Sequence, residues 1–276
     1  RVPKGEWTLG PGLIGALVGR PGPPAWEDEA AAREMLGMDL VVVAAGDERQ
    51  GPSLCRRWRR ETDFFVFALV DGPFESLARS LGFLGFLTAL AKKEEDTAVL
   101  AARAAESGLE SARACLEAGA HGVIIADDVA YNRGTFVNPA VLRRVFVPLW
   151  RAQVEALCGV PVFFHADGNL SALLPDVAAA GFSGLHGLEP AAGMDIAAVK
   201  RHYGSQLCLW GNLDPACLSG DQDRMIQEVR KLLQIAAPGG GYIFATAAGC
   251  LGDEVPPGRV LALYRAAEKN GCCSKG

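Results

Sequence analysis

The second half of the chain alternates short apolar segments with longer segments of helical composition. After residue 120 the apolar segments are 121–126, 160–165, 184–188, 207–210 and 242–246. They are rich in β-branched and aromatic residues, and helical segments of roughly 10–15 residues lie between them. Buried strands joined by helices are typical of parallel βαβ units, because parallel strands need a crossover connection. Two earlier apolar segments, 39–45 and 64–70, bring the predicted strands to seven.

Seven strands and a degenerate eighth element near residues 6–18 predict an α/β fold, a (β/α)8 TIM barrel with a shortened N-terminal element, formed by residues 1–276 as one domain. A doubly wound open sheet is the alternative. No glycine-rich phosphate fingerprint follows the first strand, and polar residues stand at the carboxyl ends of at least five strands. In a barrel those ends converge on one funnel, whereas in an open sheet they lie along an edge.

The composition argues against nucleic-acid and membrane partners. The 276 residues are 50% hydrophobic with a net charge of −5, which favours a large core and no nucleic-acid partner. The basic run Arg56–Arg60 is short and typical of a solvated helix. No apolar run reaches the ~18 residues of a membrane span, so we expect no membrane partner. The eight cysteines contain no CxxC pair, a usage typical of the reducing cytoplasm.

The segment Val160–Asn169 carries the clearest candidate chemistry. It reads VPVFFHADGN, an apolar strand that ends in polar residues. His165 and Asp167 are two residues apart, so both side chains can point the same way from an extended strand. Because barrels hold their catalytic groups at the carboxyl ends of strands, the pair indicates metal ligands or an acid–base pair. The alternative is a histidine that caps a helix or fills a polar corner of the core.

Polar residues at the other strand ends extend the predicted site. They are Asp127, Asp128, Tyr131, Asn169, Glu189, Asn212, Asp214 and Cys250. Helix capping, turns and packing are the alternative roles for each of them. Clustered carboxylates repel one another unless a cation compensates, so their number favours a metal or another cationic group. His, Asp and Cys are all zinc ligands. His186 lies inside a predicted strand, and its direction stays open.

Several longer motifs resemble a known family. They read AGAHGVIIADD, PVFFHADGN, GFSGLHGLEPAAGMDI, CLWGNLDP, APGGGYIFATAAGC and VPPGRVLALY. In order and spacing they resemble the uroporphyrinogen decarboxylase superfamily over residues 119–267, and the resemblance is looser over 39–118. The resemblance implies a (β/α)8 barrel whose active site lies at the C-terminal mouth.

One branch of that superfamily decarboxylates the acetate arms of uroporphyrinogen without a cofactor. The resemblance implies for this branch an arginine-bearing N-terminal strand, an Asp after the next strand and a His in the loop of the last strand. Here the N-terminal segment reads TLGPGLIGALVGR, Asp47 is displaced, and the last loop offers Ala248 or Cys250. The residues that would bind porphyrinogen carboxylates are therefore missing.

The other branch contains corrinoid-dependent methyltransferases, which act on thiols, folates or methoxylated substrates. The resemblance implies for its zinc-dependent members a His-x-Cys motif and a Gly-Cys motif. The corresponding residues here are His165, Asp167 and Cys250. Aspartate in place of the first cysteine is consistent with an altered zinc site, a metal-free methyltransferase, or neither. A metal would lower the pKa of a substrate thiol. Without metal, Asp167 with Glu189 or Asp127 could protonate a leaving group.

The sequence therefore predicts a methyltransferase that acts on a small molecule with a partner corrinoid protein. Its predicted catalytic residues are Asp127, Tyr131, Asp167, Glu189 and Asn212, its cofactor-binding residues are Asn169, Asp128 and Asp214, and its zinc ligands are His165, Asp167 and Cys250. The alternatives are a uroporphyrinogen decarboxylase-type carboxy-lyase and a non-catalytic barrel subunit.

Overall fold

The computed structural model describes residues 1–46 and 50–271, in which strands and helices alternate. The strands are β1 (Thr8–Leu9), β2 (Leu40–Ala44), β3 (Phe65–Asp71), β4 (Gly122–Ala126), β5 (Ala130–Tyr131), β6 (Gly134–Thr135), β7 (Val162–Ala166), β8 (Gly184–Gly187), β9 (Cys208–Leu213), β10 (Tyr242–Thr246) and β11 (Cys250–Leu251). The α-helices are α1 (Pro11–Val18), α2 (Trp26–Met35), α3 (Gln50–Glu61), α4 (Pro73–Leu81), α5 (Phe83–Lys92), α6 (Glu94–Glu117), α7 (Pro139–Val145), α8 (Val147–Ala156), α9 (Leu174–Ala179), α10 (Ile196–Tyr203), α11 (Gln222–Ala236) and α12 (Pro257–Asn270).

The seven predicted strands form one parallel sheet. Their order is β10, β9, β8, β7, β4, β3 and β2, so that neighbours in the sheet are successive long strands of the chain. Helices connect them, as the sequence pattern predicts, and the sheet curls into a TIM barrel. The (β/α)8 prediction is therefore confirmed, although β9 continues to Leu213, beyond the predicted end at residue 210.

The N-terminal segment occupies the eighth position of the barrel, between β10 and β2. Lys4 bridges Phe244 of β10 in parallel, and the Gly5 N–H donates to the Phe244 carbonyl at 3.0 Å. On the other side, the Asp39 N–H donates to the Lys4 carbonyl at 2.8 Å. The predicted degenerate element near residues 6–18 is thus present and includes β1, but it begins earlier, at Lys4. Helix α1 begins at Pro11 and ends this extended segment, since proline fits the first helical turn.

A buried arginine holds this irregular segment in place. Arg33 of α2 is fully buried, and its two terminal nitrogens donate to the carbonyls of Glu6 and Trp7 at 2.9 Å each. It also pairs with Glu29 one helical turn earlier, at 2.8 Å. The guanidinium therefore satisfies carbonyls that a regular strand would pair within a ladder.

Two segments of continuous helical composition form broken helices. The first, residues 74–90, is divided between α4 and α5, with a bend of 111° between them. Gly82 lies between them with φ +72°, a conformation that ends a helix and that glycine adopts without strain. The second, residues 138–157, divides at Phe146, because Pro148 cannot donate a helical hydrogen bond. No described helix alone matches a membrane span in length and composition, and α4 and α5 do so only as a bent pair.

The alternation of side chains along the strands decides what faces the barrel interior. Phe163 of β7 belongs to the inner cluster with Trp7, Phe67 and Trp210, whereas Val162 packs with the outer core beneath the helices. Residues two apart share a face, so His165 and Asp167 continue the inward row begun by Phe163. The aromatic interior forms the floor beneath the mouth of the barrel.

Replacing Arg33 by lysine is expected to destabilise the protein by about 2–4 kcal/mol, because an ammonium cannot reproduce the forked contacts and leaves buried carbonyls unpaired. Urea unfolding followed by circular dichroism measures the change. Arg103→Lys, at an exposed position of α6, is the matched control and should unfold like the wild type. Equal stability of the two variants would contradict the closing role of Arg33.

Glu6 gives the stability a specific pH dependence. Burial raises its pKa from 4.5 to about 7, although Thr246 and Tyr264 donate hydrogen bonds to it. A carboxyl group with a raised folded pKa stabilises the fold below its unfolded pKa, and this stabilisation is lost as the pH rises through the folded pKa. The free energy of unfolding should therefore fall between pH 4.5 and about 7, by up to about 3 kcal/mol.

The variant Glu6→Gln should flatten this part of the pH profile, because the amide does not titrate. Urea titrations at several pH values test it, with Glu110→Gln on the exposed face of α6 as the control. A control profile that matches the wild type while Glu6→Gln is flat is the expected result. A Glu6→Gln profile as steep as that of the wild type would show that another group is responsible.

Candidate active site

The ends of two neighbouring strands bring three polar side chains together. β4 and β7 pair so that Ala126 lies opposite His165. Asp128 follows β4 on its inward row, and its carboxylate accepts a hydrogen bond from the Asp167 N–H at 2.9 Å. The strand register therefore places Asp128 beside the predicted pair His165 and Asp167.

These three residues form a compact set of ligand atoms, which we call the Asp–His–Asp cluster. His165 Nε2 lies 3.8 Å from one carboxylate oxygen of Asp128 and 3.8 Å from one of Asp167. All three ligand atoms lie within 4.8 Å of one another. Tetrahedral zinc with bonds of ~2.0–2.2 Å needs ligand atoms ~3.4 Å apart. Small movements of two partly exposed carboxylates would reach that spacing, so the residues fit a divalent cation.

Electrostatics at the cluster favours a cation. Burial, and then the charges of Asp128 and Glu189, raise the pKa of Asp167 to about 6. Burial lowers the pKa of His165, so the ring is neutral and offers a lone pair. Within the described residues no Lys or Arg forms an ion pair with Asp128, Asp167 or Glu189. A cation would relieve this repulsion between like charges.

A second histidine and a tryptophan lie directly behind His165. The Nδ1 atoms of His165 and His186 are 2.9 Å apart. The Trp7 ring packs on both, with centroid distances of 4.4 Å to each. The sequence left the direction of His186 open and gave no role to Trp7. The register of β7 with β8 sets His165 opposite His186, and the N-terminal segment brings Trp7 onto both rings.

Asp127 does not join the cluster. It is fully buried on the outward row of β4 and accepts hydrogen bonds from the Trp150 Nε1–H at 2.6 Å and the Glu75 N–H at 2.7 Å. Burial raises its pKa to about 8, and these hydrogen bonds oppose that shift. It caps the start of α4 from a neighbouring strand, where the sequence predicted a catalytic residue.

Glu189 and Asn169 shape the loop that carries Asp167. Glu189 accepts a hydrogen bond from the Gly168 N–H at 2.8 Å. The Asn169 amide donates to the Ala192 carbonyl at 2.9 Å and accepts from the Ser171 N–H at 3.0 Å. Asn169 is therefore occupied by the protein's own backbone, whereas Glu189 remains close enough to Asp167 to raise its pKa.

Tyr131, Asn212 and Asp214 lie around the cluster rather than in it. Tyr131 is 46% exposed in the β5–β6 hairpin and stacks on Phe136 at 5.5 Å. The Asn212 amide donates to the Leu188 carbonyl at 2.8 Å, and Asp214 caps the short helix Pro215–Leu218. Asn212 and Asp214 also line a cavity of about 660 Å³ between α10 and α11.

Cys250 is outside the cluster, although the sequence predicted it as a zinc ligand. It lies in β11, which pairs with β1, and its Sγ accepts a hydrogen bond from Thr8 Oγ1 at 2.9 Å. Its neighbour Gly249 faces the histidines instead, since a Cβ there would lie 2.8 Å from Cε1 of His186. Asp128, which the sequence assigned to cofactor binding, takes the third position. Asp47, considered for the decarboxylase branch, lies outside the described residues.

Comparison with known proteins gives the family. The model of the family described as uroporphyrinogen decarboxylase (URO-D) matches residues 53–270. The chain belongs to the uroporphyrinogen decarboxylase family. The resemblance read from the motifs is thereby confirmed. A uroporphyrinogen decarboxylase of Syntrophotalea carbinolica is 32% identical over 182 residues, which cover 65% of this chain and 50% of that relative. The chain thus spans half the length of this relative.

Solved structures agree with the fold assigned to this member of the family. A methyltransferase from Methanosarcina mazei superposes with a TM-score of 0.78 at 20% identity, over 98% of this chain and 94% of that chain. A B12-independent methionine synthase from Shewanella sp. W3-18-1 gives a TM-score of 0.63 at 12% identity, over 97% and 96% of the two chains. At these identities the likeness concerns the barrel alone.

Two substitutions distinguish the ligand set of the structure from that of the sequence. Asp128→Asn should weaken zinc binding by at least ~10-fold, because a neutral amide is a poor ligand. Cys250→Ser should bind zinc like the wild type, since its Sγ faces Thr8. Calorimetric zinc titration and melting temperatures measure both. Zinc loss in Cys250→Ser with retention in Asp128→Asn would restore the ligand set predicted from sequence.

Proposed function

We propose that the protein is a divalent-metal-dependent methyltransferase of its family, which moves a methyl group between a corrinoid on a partner protein and a small thiol, folate or methoxylated substrate. The observation that carries the proposal is the Asp–His–Asp cluster at the mouth of the barrel, where three ligand atoms lie within 4.8 Å of one another. Thiols, folates and methoxylated compounds are the substrate classes considered.

The charge of the mouth favours this activity over decarboxylation of a porphyrinogen. Uroporphyrinogen is a polycarboxylate, and its recognition needs cationic side chains or other donors. Asp128, Asp167 and Glu189 present carboxylates there, and no Lys or Arg in the described part of the chain pairs with them. Such a mouth repels a polyanion and attracts a cation.

Each residue of the cluster has a distinct task in the proposed reaction. His165 offers a neutral nitrogen, and Asp128 and Asp167 offer the negative charge that zinc or a similar cation requires. A cation held there supplies Lewis-acid chemistry that lowers the pKa of a substrate thiol or hydroxyl. Glu189 holds the loop of Asp167 and would act as the base that takes the proton lost by the acceptor.

The setting of the reaction is part of the proposal. The small substrate would enter at the mouth, and the corrinoid protein would deliver or collect the methyl group from the same side, because the aromatic floor of Trp7, Phe163 and Trp210 fills the barrel below. The described cysteines are free thiols, which is consistent with the reducing cytoplasm.

Methyl transfer from methylcob(III)alamin to a panel of thiols, folates and phenols tests the proposed activity. The zinc-loaded wild type should demethylate the corrinoid with at least one acceptor, and the absorbance change of the corrinoid reports the rate. His165→Ala should lower the rate ~10–100-fold through loss of metal affinity. His202→Ala on the exposed face of α10 is the matched control and should retain the rate.

The names of the relatives favour a second activity, decarboxylation of uroporphyrinogen. Formation of coproporphyrinogen by the same preparation, without transfer to any acceptor, would overturn the methyltransferase proposal in favour of this carboxy-lyase. Absence of both activities together with failure to bind zinc would favour the non-catalytic barrel subunit.

A further inference from the structure

His186 is a buried residue next to the Asp–His–Asp cluster that the proposed chemistry does not use. It lies opposite His165 in the pairing of β7 with β8, and its side chain is fully buried. The two Nδ1 atoms lie 2.9 Å apart, which is hydrogen-bond distance. One of the two nitrogens must therefore donate and the other accept.

The proton position on one ring fixes that on the other. Only one of the two facing Nδ1 atoms can hold the proton that joins them across 2.9 Å, and a neutral imidazole carries a single N–H. If His165 donates through Nδ1, its Nε2 presents a lone pair to Asp128 and Asp167. If His186 donates instead, His165 carries its proton on Nε2, which blocks that nitrogen as a ligand.

The surrounding side chains hold the two rings in register. Trp7 packs on both, and Trp210 lies 5.0 Å from the His186 ring. Gly249 leaves the space that the His186 ring fills, since a Cβ there would lie 2.8 Å from Cε1 and 2.9 Å from Nε2. Rotation of either ring away from the other would displace this packing.

Among the described residues, the same packing leaves one nitrogen of His186 buried without a hydrogen-bond partner, which an apolar side chain would avoid. His186 Nε2 is buried and has no hydrogen-bond partner among the described residues. A buried polar atom without a partner destabilises the fold, and an apolar side chain of similar size would avoid this loss. The contact from His186 to His165 is therefore the feature that accounts for an imidazole at this position.

We propose that His186 is a positioning residue that accepts the Nδ1–H of His165 and so directs the Nε2 lone pair of His165 at a cation between Asp128 and Asp167. This inference rests on the metal site of the proposed function. It adds a requirement that the ligand set alone does not contain, because it assigns a hydrogen-bond acceptor behind the histidine ligand.

Two substitutions at His186 test the acceptor role by zinc titration of the full chain. His186→Leu removes the acceptor, and its zinc affinity should fall ~10–100-fold. His186→Asn places a side-chain oxygen close to the position of Nδ1, and it should bind zinc within a few-fold of the wild type. His202→Leu, at an exposed histidine of α10, is the control and should not change the affinity.

Imidazole ¹⁵N chemical shifts report the proton positions directly. The chain has four histidines, so its long-range ¹H–¹⁵N spectrum can be assigned by single substitutions. With zinc bound, His165 should carry its proton on Nδ1 in the wild type and in His186→Asn. A role of His186 in packing alone would not fix this tautomer.

The outcomes separate this inference from the function on which it rests. A wild type that takes up no zinc overturns both. Zinc binding by His186→Leu equal to that of the wild type overturns the inference alone, as does a zinc-bound His165 that carries its proton on Nε2. If His186→Leu does not fold, His186→Asn decides: wild-type affinity with the Nδ1–H tautomer supports the acceptor role, and a loss equal to that of His165→Ala overturns it.

Discussion

The buried guanidinium of Arg33 binds the carbonyls of Glu6 and Trp7, and the shape of the active site depends on that contact. The N-terminal segment has only a single bridge to β10 and would otherwise leave carbonyl groups buried without partners. Trp210 adds a hydrogen bond from inside the barrel to the Gly5 carbonyl at 3.0 Å. Because the segment is held from both faces, Trp7 projects into the barrel and supports the histidines from beneath.

Above this floor the mouth concentrates negative charge close to apolar rings. Burial and the charges of Asp128 and Glu189 raise the pKa of Asp167, which gives the fold no stability, so the acidity of the mouth is consistent with the proposed cation. Asp128 and Asp167 are partly exposed, which lets them adjust to a ligand, whereas His165 is held by its neighbours. A rigid nitrogen with two adjustable oxygens is a suitable arrangement for a cation that changes its coordination during a reaction.

The side chains of adjacent residues at the end of β4 face opposite sides of the sheet, because the strand is pleated. Asp127 points outward, where it caps α4 and binds the Trp150 indole within the layer of helices. Asp128 points inward to His165. Successive side chains of a strand face opposite sides, so one carboxylate stabilises the packing of helices on the sheet while its neighbour is available for chemistry. The same alternation separates Gly249, which faces the histidines, from Cys250, which faces Thr8.

The sequence by itself determined the seven strands, their parallel order and the family. It also placed His165 and Asp167 at the carboxyl end of a strand, because hydrophobic periodicity and strand-end polarity are local properties. The local pattern also predicted that carboxylates cluster at the mouth of the barrel. It could not determine which carboxylate joins His165, since that depends on the register between β4 and β7. Nor could it find the contact with His186 or the role of Trp7, which unite residues from three separate parts of the chain. The tertiary structure decided these points, because pairing register and the closure of the barrel fix distances between residues that no local pattern relates.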